Sequence, residues 1–382
     1  MRGYRALVVG GMVLVLCFVA PNPAARRASA EHEADQSPPA ADLLWKRSVP
    51  LPVSLTSSPD GRYIGIVAKN GATYCFGDNG RLAWKVQIPG VDRVVVSPNG
   101  AGAAYAFLNP TSTTVHFITP DGQMRWEHKV EGAIWSAAAS SEPGCFAVGT
   151  GERYCYYYTF SERRQRYRRW RLPGAPCTTS FSPDGQVIFF GTWQDAGVAA
   201  FDNKGKQIAW SPGQPDMLYE AQLSASGQYC AVTARPNRTS PEVTVSFRNS
   251  RLDDLWTQDL QVHGLTDDIS PGGDYLALGY QRVIAHKDKE IREDRVALYN
   301  RGGQVLWEKG GSFTRWKLVA LCPSGRLLVH DEGASLYVLD RSGKILLKRG
   351  LPARVRSFAK TPQRNKIAIY CGNGELCVFA VR

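Results

Sequence analysis

The sequence predicts an all-β fold built from repeats of about forty residues, and three observations support this. Phe, Trp and Tyr make up 10% of the chain, and these residues favour pleated, half-buried surfaces. The 37 glycines and 23 prolines are spread evenly along the sequence, as in a turn-rich fold. After residue 25 no long apolar helical pattern occurs, which disfavours a mainly helical domain.

A tight-turn tetrapeptide is the first repeat. Proline presets the first turn position, and glycine or asparagine accepts the positive φ that follows. Apolar stretches such as 63–67 and 275–278 flank these turns, so each turn is predicted to join two short strands. Clear copies occur at 58–61, 97–100, 182–185, 270–273 and 322–325, and weaker copies at 142–144, 224–227 and 361–363.

Tryptophan marks a second repeat. The residue recurs at intervals of 39 to 51 positions, in a strand that follows a further glycine turn. Two markers that share one period indicate four-stranded propeller blades, and the turn count predicts an eight-bladed β-propeller with antiparallel blades. The marker residues are Trp45, Trp84, Trp126, Trp170, Trp210, Trp256 and Trp307, with Leu347 in the next slot.

The two chain ends are predicted to share the eighth blade. The last repeat begins near Arg354 and stops one strand short at Arg382, whereas Leu43–Val49 is a fourth-strand sequence with no blade before it. Pairing these ends would complete the blade and remove an exposed sheet edge. The propeller domain is therefore expected over residues 43–382, with residues 31–42 as a flexible linker.

Residues 1–30 have the pattern of a secretory signal. Arg2 and Arg5 precede an apolar run over 6–20, and Ala28-Ser29-Ala30 provides a small-x-small cleavage site. We therefore expect the protein outside the cytoplasm, either secreted, periplasmic or anchored to the outer side of the cytoplasmic membrane.

Two other interpretations of the N-terminus remain open. The apolar run, extended to Ala25, is long enough to serve as an uncleaved membrane anchor. Cys17 suggests a lipoprotein signal, but Leu16 is not the small residue that such a cleavage site needs. The cleaved signal is preferred, followed by the anchor.

The chain is basic, with a formal net charge of +12. Residues 1–30 hold four arginines and no acid, so their removal would lower this charge to +8. An anionic envelope polymer or lipid is one partner that this charge favours, and simple solubility is the other interpretation. Nucleic acid is a poor candidate outside the cytoplasm, and the protein is expected to be monomeric.

Eight cysteines follow Cys17, and they are scattered singly through apolar strand patterns. No Cys-x-x-Cys spacing suggests zinc, so most are predicted to be small buried hydrophobic residues. Only the pairs Cys145/Cys155 and Cys371/Cys377 flank short hairpins and merit a test for bridging.

The repeats resemble a known family. Residues 200–210, AFDNKGKQIAW, resemble the quinoprotein blade motif, in which the tryptophan docks against the neighbouring blade, and residues 298–307 form a second copy. Residues 58–64 are similar to the turn-strand motif of periplasmic Tol-associated propellers. The chain thus resembles the bacterial extracytoplasmic WD-repeat-like and quinoprotein-like (PQQ-like) β-propellers over residues 43–382.

That resemblance implies a fold more than an activity. Family members range from redox enzymes to scaffolds. The enzymes hold their quinone with a calcium site and a disulfide between adjacent cysteines, and no two cysteines are adjacent here. No cofactor or metal is therefore expected. The Trp-Asp dipeptides of eukaryotic-type WD repeats are also missing.

Candidate binding residues are expected on one face of the ring. Because each inner strand runs toward its Ser-Pro-Asp-Gly turn, the opposite face, here called the loop face, collects the loops that join strands four to one and two to three. Two of these loops are long, which often indicates function, although tolerated insertion is the alternative. They are residues 234–242, with Arg235 and Arg238, and residues 281–294, with Arg282, His286, Lys287 and Arg292.

Aromatic and basic residues near the inner-strand starts would line the mouth of the channel. Flat aromatic rings and arginines suit peptide or anionic ligands, whereas packing between blades is the structural alternative. The candidates at the mouth are Trp135, Tyr219, His263, Arg315, Trp316 and Arg354. Trp193, in a turn-like segment over 192–195, is a weaker candidate.

Residues 163–171 contain six arginines and form a predicted basic edge on the outer strand of blade 3. Side chains alternate along a strand, so Arg164, Arg166 and Arg168 share one face, and Tyr167 and Arg169 take the other. Like charge on an open edge discourages pairing with another edge. Contact with acidic lipid or polymer is the functional interpretation.

A search for catalytic motifs is negative. The six histidines form no metal-like cluster, and neither a Gly-x-Ser-x-Gly elbow nor a phosphate loop occurs. The sequence therefore favours a non-catalytic binding scaffold for a protein or other ligand. The alternatives are a PQQ-type oxidoreductase and a channel-mouth hydrolase that uses His263 near Asp267 and Asp268.

Overall fold

A computed structural model describes residues 8–9, 12–13, 41–110, 113–161, 163–193, 197–286, 289–311, 316–361 and 366–381. Residues 1–39 and 40–382 form separate compact units. In the first unit, β1 (Val8–Val9) pairs antiparallel with β2 (Met12–Val13). The rest of the predicted targeting segment and linker up to residue 40 lies outside the described residues. No helix in the described part of the chain is long and apolar enough to cross a membrane.

The second unit consists of four-stranded antiparallel blades. Blades 1 to 7 each use four consecutive strands. Blade 1 contains β4 (Pro52–Ser57), β5 (Tyr63–Ala68), β6 (Ala72–Gly77) and β7 (Leu82–Gln87). Blade 2 contains β8 (Arg93–Val96), β9 (Gly102–Tyr105), β10 (Thr114–Ile118) and β11 (Met124–Lys129). Blade 3 contains β12 (Ile134–Ala139), β13 (Cys145–Thr150), β14 (Tyr154–Phe160) and β15 (Gln165–Arg171).

Blades 4 and 5 share one continuous sheet, because Trp193 pairs with Leu218. Blade 4 contains β16 (Ala175–Phe181), β17 (Val187–Trp193), β18 (Val198–Asp202) and β19 (Gln207–Ser211). Blade 5 contains β20 (Leu218–Leu223), β21 (Tyr229–Arg235), β22 (Glu242–Asn249) and β23 (Asp254–Gln261).

Blades 6 and 7 follow the same pattern. Blade 6 contains β24 (His263–Ile269), β25 (Tyr275–His286), β26 (Lys289–Asn300) and β27 (Val305–Gly311). Blade 7 contains β28 (Lys317–Leu321), β29 (Leu327–His330), β30 (Ser335–Leu339) and β31 (Ile345–Gly350). The prediction of a long loop over 281–294 is therefore wrong. Strands β25 and β26 continue as a paired hairpin in which Val283 lies opposite Arg292.

Blade 8 is built from both chain ends, as predicted. It contains β32 (Val355–Thr361), β33 (Lys366–Cys371) and β34 (Glu375–Val381). The N-terminal strand β3 (Ala41–Ser48) pairs antiparallel with β34 and begins two residues before Leu43. Each inner strand contacts the inner strand of the next blade, and β32 contacts β4. The eight blades therefore close into a ring, which leaves no blade sheet incomplete.

The recurrent turn works through its serine as well as its glycine. Ser58 Oγ accepts a hydrogen bond from the Tyr63 amide at 3.0 Å, and Gly61 adopts a φ of 69°. Ser182 Oγ likewise accepts the Val187 amide at 2.9 Å. The hydroxyl therefore satisfies a backbone donor at the start of the second strand. Residues 362 and 363 of the weakest predicted turn lie outside the described residues.

Each outer strand has one position, here called the tryptophan slot, whose side chain packs against the next blade. A Cβ atom on Gly80 would lie 2.7 Å from the Trp45 ring, so only glycine permits this contact. The Trp45 indole N–H also donates to Asp78 O at 2.9 Å. The same ring-on-glycine packing joins Trp84 to Gly122, Trp170 to Gly205, Trp256 to Gly303 and Trp307 to Gly343.

Three of the eight slots depart from this rule. Trp126 faces blade 3, whose connection between β14 and β15 (residues 161–164) contains no glycine, and its ring instead packs edge-on against Phe160 with centroids 5.2 Å apart. Leu347 faces blade 8, whose third and fourth strands come from opposite chain ends, so no turn between them presents a glycine. In blade 4, a register shift after Ala200 places Ala209 in the slot, and Trp210 is 49% exposed. The assignment of Trp210 to the tryptophan ladder is therefore wrong by one residue.

Register shifts of this kind occur in seven of the eight outer strands. The shift in β7 places Trp84 opposite Cys75 and Leu82 opposite Phe76, so the intervening residue bulges outward. Equivalent bulges are present in β3, β11, β19, β23, β27 and β31. The exception is β15, which pairs with β14 without interruption from Tyr154 opposite Arg171 to Phe160 opposite Gln165.

The eight described cysteines are free thiols, and all except Cys177 are buried. Burial raises the pKa of Cys230 to about 12, which keeps this thiol protonated and unreactive. The pairs Cys145/Cys155 and Cys371/Cys377 are unbridged.

Candidate binding site

An apolar pocket of about 310 Å³ opens on the loop face between blades 2 and 5. Trp135, the second residue of β12, and Trp193, the last residue of β17, form one wall. Their ring centroids lie 5.3 Å apart with an interplanar angle of 34°. The remaining lining residues are Phe107, Leu108, Cys177, Leu218, Asn237 and Arg238.

The wall from blade 2 is held in place by backbone contacts. Leu108 adopts a φ of 53°, and its amide donates to Ile134 O at 2.8 Å. The Phe107 amide donates to Asp92 Oδ1 at 2.9 Å, and the Arg93 guanidinium lies 5.0 Å from the Phe107 ring centroid. These contacts fix the segment against blade 3, so the pocket is formed before any ligand binds.

The tryptophans are also held by their surroundings. A Cβ atom on Gly151 would lie 2.7 Å from Trp135 Nε1, so this glycine makes room for the indole. Thr192 Oγ1 donates to Gly197 O at 2.8 Å and holds the end of β17. Trp193 remains 38% exposed. Both rings are therefore rigid anchors that solvent can reach.

The rim beside Arg238 carries excess positive charge. Glu220 pairs with both Arg235 and Arg238, at 3.7 Å in the case of Arg238. Arg235 is buried, whereas the Arg238 side chain is 59% exposed. One carboxylate shared by two guanidiniums leaves a net positive charge that faces solvent through Arg238.

Nearby, burial raises the pKa of the Cys177 thiol to about 12. This thiol lines the pocket as an apolar group rather than as a nucleophile.

Two predicted loop-face residues have structural roles. Tyr219 is buried, and its hydroxyl accepts the Gln214 amide at 2.7 Å, which holds the loop before β20. Trp316 is buried against Tyr337, with ring centroids 5.5 Å apart. Both lie where inner strands meet their neighbours, so their rings are buried by packing between blades. Both side chains therefore have a packing role in the fold, and the expectation that they contact a ligand stays a prediction.

Arg235 is also engaged within the fold. It ends β21 and points inward to Glu220, rather than lying in an exposed loop as predicted. The exposed arginine of that segment is Arg238. Sequence reasoning named this arginine in the long loop but did not identify it as a site residue.

The other predicted loop-face residues lie away from the pocket. His263 is half-buried at the start of β24, and Arg282 is 3.9 Å from Glu308 in the hairpin of blade 6. Arg354 is exposed, and its carbonyl accepts the Gly372 amide at 2.8 Å. Arg315 and the side chain of His286 lie outside the described residues.

Phe107, Leu108 and Leu218 were missed by sequence reasoning. The unusual length of the segment between β9 and β10 was the one signal that could have indicated the first two.

A second cavity of about 480 Å³ lies along the channel and is lined largely by β16 and β20. Asp267 on β24 also lines it, and burial raises the pKa of this carboxyl to about 6. Among the described residues no hydrogen bond or ion pair joins His263 to Asp267 or Asp268, and no group of three or more His, Cys, Asp or Glu could hold a metal. Within this part of the chain, the hydrolase alternative therefore lacks an assembled site.

Comparison with known proteins agrees with this architecture. The family model described as outer membrane protein assembly factor BamB matches residues 37–212, a little under half of the chain. The crystal structure of BamB from Moraxella catarrhalis has a TM-score of 0.62 at 12% identity and covers 90% of this chain and 98% of its own. No curated protein sequence matches the chain significantly.

Two other solved structures are also similar in fold. The Dos1 propeller has a TM-score of 0.66 at 10% identity, with 89% of this chain and 95% of its own covered. Hydrazine synthase from Kuenenia stuttgartiensis has a TM-score of 0.52 at 12% identity, with 87% and 96% covered. At such identities the structural likeness shows the fold alone.

The chain is a β-propeller, as its repeats predicted, and the family match supports the predicted resemblance to PQQ-like propellers over residues 37–212. It is similar to BamB in sequence pattern over blades 1 to 4 and in fold around the whole ring.

Proposed function

We propose that this protein is a non-enzymatic extracytoplasmic scaffold that holds a partner protein at the loop-face pocket. The observation that carries the proposal is the pairing of Trp135 and Trp193 above an apolar cavity with Arg238 at its rim. The secretory pattern of residues 1–30 supports the location, and similarity to an outer membrane protein assembly factor supports a scaffold role.

The pocket chemistry suggests what it would hold. Its volume of about 310 Å³ suits one or two apolar side chains. Rigid indole rings bury large area at low entropic cost, which makes tryptophan a common binding anchor. Arg238 would pair with a carboxylate beside the inserted side chain. We therefore expect the partner to present an exposed aromatic or aliphatic residue next to an acidic one.

Photo-crosslinking in intact cells tests this proposal. A photoreactive amino acid at the exposed position Asn237 is expected to trap one partner protein. The double variant Trp135→Ala/Trp193→Ala should reduce that crosslink at least about tenfold, because both anchors are lost. Trp210→Ala is the matched control, since Trp210 is an exposed tryptophan on an outer strand and does not line the pocket.

Far-ultraviolet circular dichroism and the melting temperature show whether the double variant is folded. An undiminished crosslink in a folded double variant would refute the assignment of the pocket. Equal loss of the crosslink in Trp210→Ala would refute it as well.

A further inference from the structure

The outer strand of blade 3, β15, is the one outer strand of the eight that has no bulge. Bulges twist a strand and interrupt its pairing, and proteins use them to protect open sheet edges. Strand β15 instead offers a regular edge over Gln165–Arg171, with no strand on its outer side among the described residues.

The register shows which backbone groups face that edge. The Ser161 amide donates to Arg164 O at 2.9 Å, and the Leu172 amide donates to Arg153 O at 2.6 Å. Hydrogen-bonded pairs alternate with non-bonded pairs along an antiparallel ladder. The even-numbered residues from 164 to 172 therefore bond to β14, and the backbone groups of residues 165, 167, 169 and 171 point outward.

The side chains around this edge are strongly basic. Arg163, Arg164, Arg166 and Arg171 are exposed, and no described acidic group lies within ion-pair distance of them. In contrast, Arg169 lies 2.8 Å from Glu131 and 4.5 Å above the Tyr154 ring.

An aromatic side chain accompanies these arginines. Tyr167 is 51% exposed, and its ring centroid lies 4.2 Å from that of His128. The edge thus combines unmatched positive charge with an anchored aromatic ring.

We propose that β15 accepts an extended acidic segment of another protein as an added strand. Main-chain hydrogen bonds from residues 165, 167, 169 and 171 would supply affinity. Carboxylates on alternate residues of the guest would pair with Arg166 and Arg168, and opposite charges across a strand pair are favourable. The same arginines repel a second copy of β15, so the edge is selective for a partner of opposite charge.

This inference is independent of the loop-face pocket, because β15 lies at the outer edge of blade 3. Each can fail without the other.

Peptide binding to the full chain tests the proposal. The probe is a fluorescent ten-residue peptide in which glutamate alternates with threonine, and its Kd is measured by anisotropy at low salt. Two matched peptides carry N-methyl groups on alternate backbone nitrogens. One is methylated at the odd-numbered positions and the other at the even-numbered positions. N-methylation keeps the charge but removes main-chain donors, so binding is expected to weaken on the order of tenfold or more.

Charge reversal locates the binding edge. Arg166→Glu/Arg168→Glu should weaken binding of the unmodified peptide on the order of tenfold or more. The matched control is Lys344→Glu/Lys348→Glu, which makes the same charge change at exposed positions in blade 7 and should change binding less than about twofold.

Amide hydrogen exchange provides a second readout. With the peptide bound, the amides of Gln165, Tyr167, Arg169 and Arg171 should become protected, because they are the outward-facing donors of the edge. The proposal is overturned if the N-methylated peptides bind as tightly as the parent, or if these amides stay unprotected at saturation. Binding only to anionic lipid vesicles or to nucleic acid would also overturn it in favour of simple charge attraction.

Discussion

The inner strands of blades 3 to 5 and those of blades 6 to 8 are joined by different chemistry. Hydroxyl groups link the first set. Ser136 Oγ donates to Pro176 O at 3.0 Å, and Thr178 Oγ1 accepts the Ala221 amide at 3.0 Å. These contacts are short and neutral, and the channel beside them remains open as a cavity of about 480 Å³.

Charged groups link the second set. Asp268 on β24 is buried and pairs with Lys360 on β32. Asp268 also accepts the Gln222 side-chain amide at 3.0 Å and the Leu321 backbone amide at 2.6 Å. One carboxylate therefore contacts blades 5, 7 and 8. The cavity beside it has a volume of only about 50 Å³.

The difference follows the connectivity of the blades in the ring. Blade 8 is the one blade whose strands come from both chain ends, so its inner strand gains most from a long-range tie. Lys360 lies 92 residues from Asp268, and its carbonyl also accepts Ser57 Oγ of blade 1 at 2.6 Å. Blades 3 to 5 each use four consecutive strands, and the hydroxyl contacts between their inner strands are neutral.

Removing the ionic link should have the largest effect. Asp268→Ala leaves the Leu321 amide and Lys360 without their acceptor, so the free energy of unfolding should fall by about 3 kcal/mol. Urea denaturation at neutral pH measures this change.

The double variant Asp268→Leu/Lys360→Met provides the control for this prediction. It replaces the pair by apolar groups and should recover much of the loss. A change below about 1 kcal/mol in the single variant would show that the ionic link does not stabilise the ring and would remove the contrast between the two sets.

The blades were predictable from sequence because their determinants are local. The Ser58 turn and the Trp45 slot each depend on a few residues close in sequence or on a glycine in the next repeat. Trp210 was misassigned because a one-residue shift in the bulge moves a side chain from the slot to solvent, and no residue type marks that shift.

The candidate site was predictable only in part. Trp135 and Trp193 were both predicted, yet their pairing depends on how adjacent blades rotate, which a linear pattern does not contain. Arg235 was placed in a loop because the end of β21 could not be located within two residues. Its burial follows from the position of Glu220 on the preceding strand β20, a contact between residues 15 apart.

The second-largest effect on stability is expected for Asp267, which lies beside the open cavity. It adjoins Asp268, but it lines the open cavity rather than the ionic link. Burial raises the pKa of this carboxyl to about 6; nearby Asp268 and Glu220 act in the same direction, whereas Lys360 and Arg235 oppose the shift. Ionisation at neutral pH therefore costs stability.

The sign of the pH dependence follows from linkage. The unfolded pKa is about 3.9, so between about pH 4 and 6 the native state binds more protons and stability falls as pH rises. Asp267→Asn should therefore raise the free energy of unfolding by about 2 kcal/mol at pH 7.5, and the gain should vanish below about pH 4. Urea denaturation across this range measures it. A gain that is constant with pH would contradict the assignment, and Asp259→Asn at the exposed surface is the control.

The smallest effect is expected for the hydroxyl contacts. Thr178→Val keeps the shape of the side chain but removes the acceptor of the Ala221 and Gly191 amides, which lie 3.0 and 3.2 Å from Oγ1. Because water in the adjacent cavity can replace part of this bonding, the loss of stability should be about 1 kcal/mol. Thr178→Ser retains the hydroxyl and should lose less. If Thr178→Val destabilised the protein as strongly as Asp268→Ala, neutral and ionic contacts would support the ring equally, and the contrast between blades 3 to 5 and blades 6 to 8 would not hold.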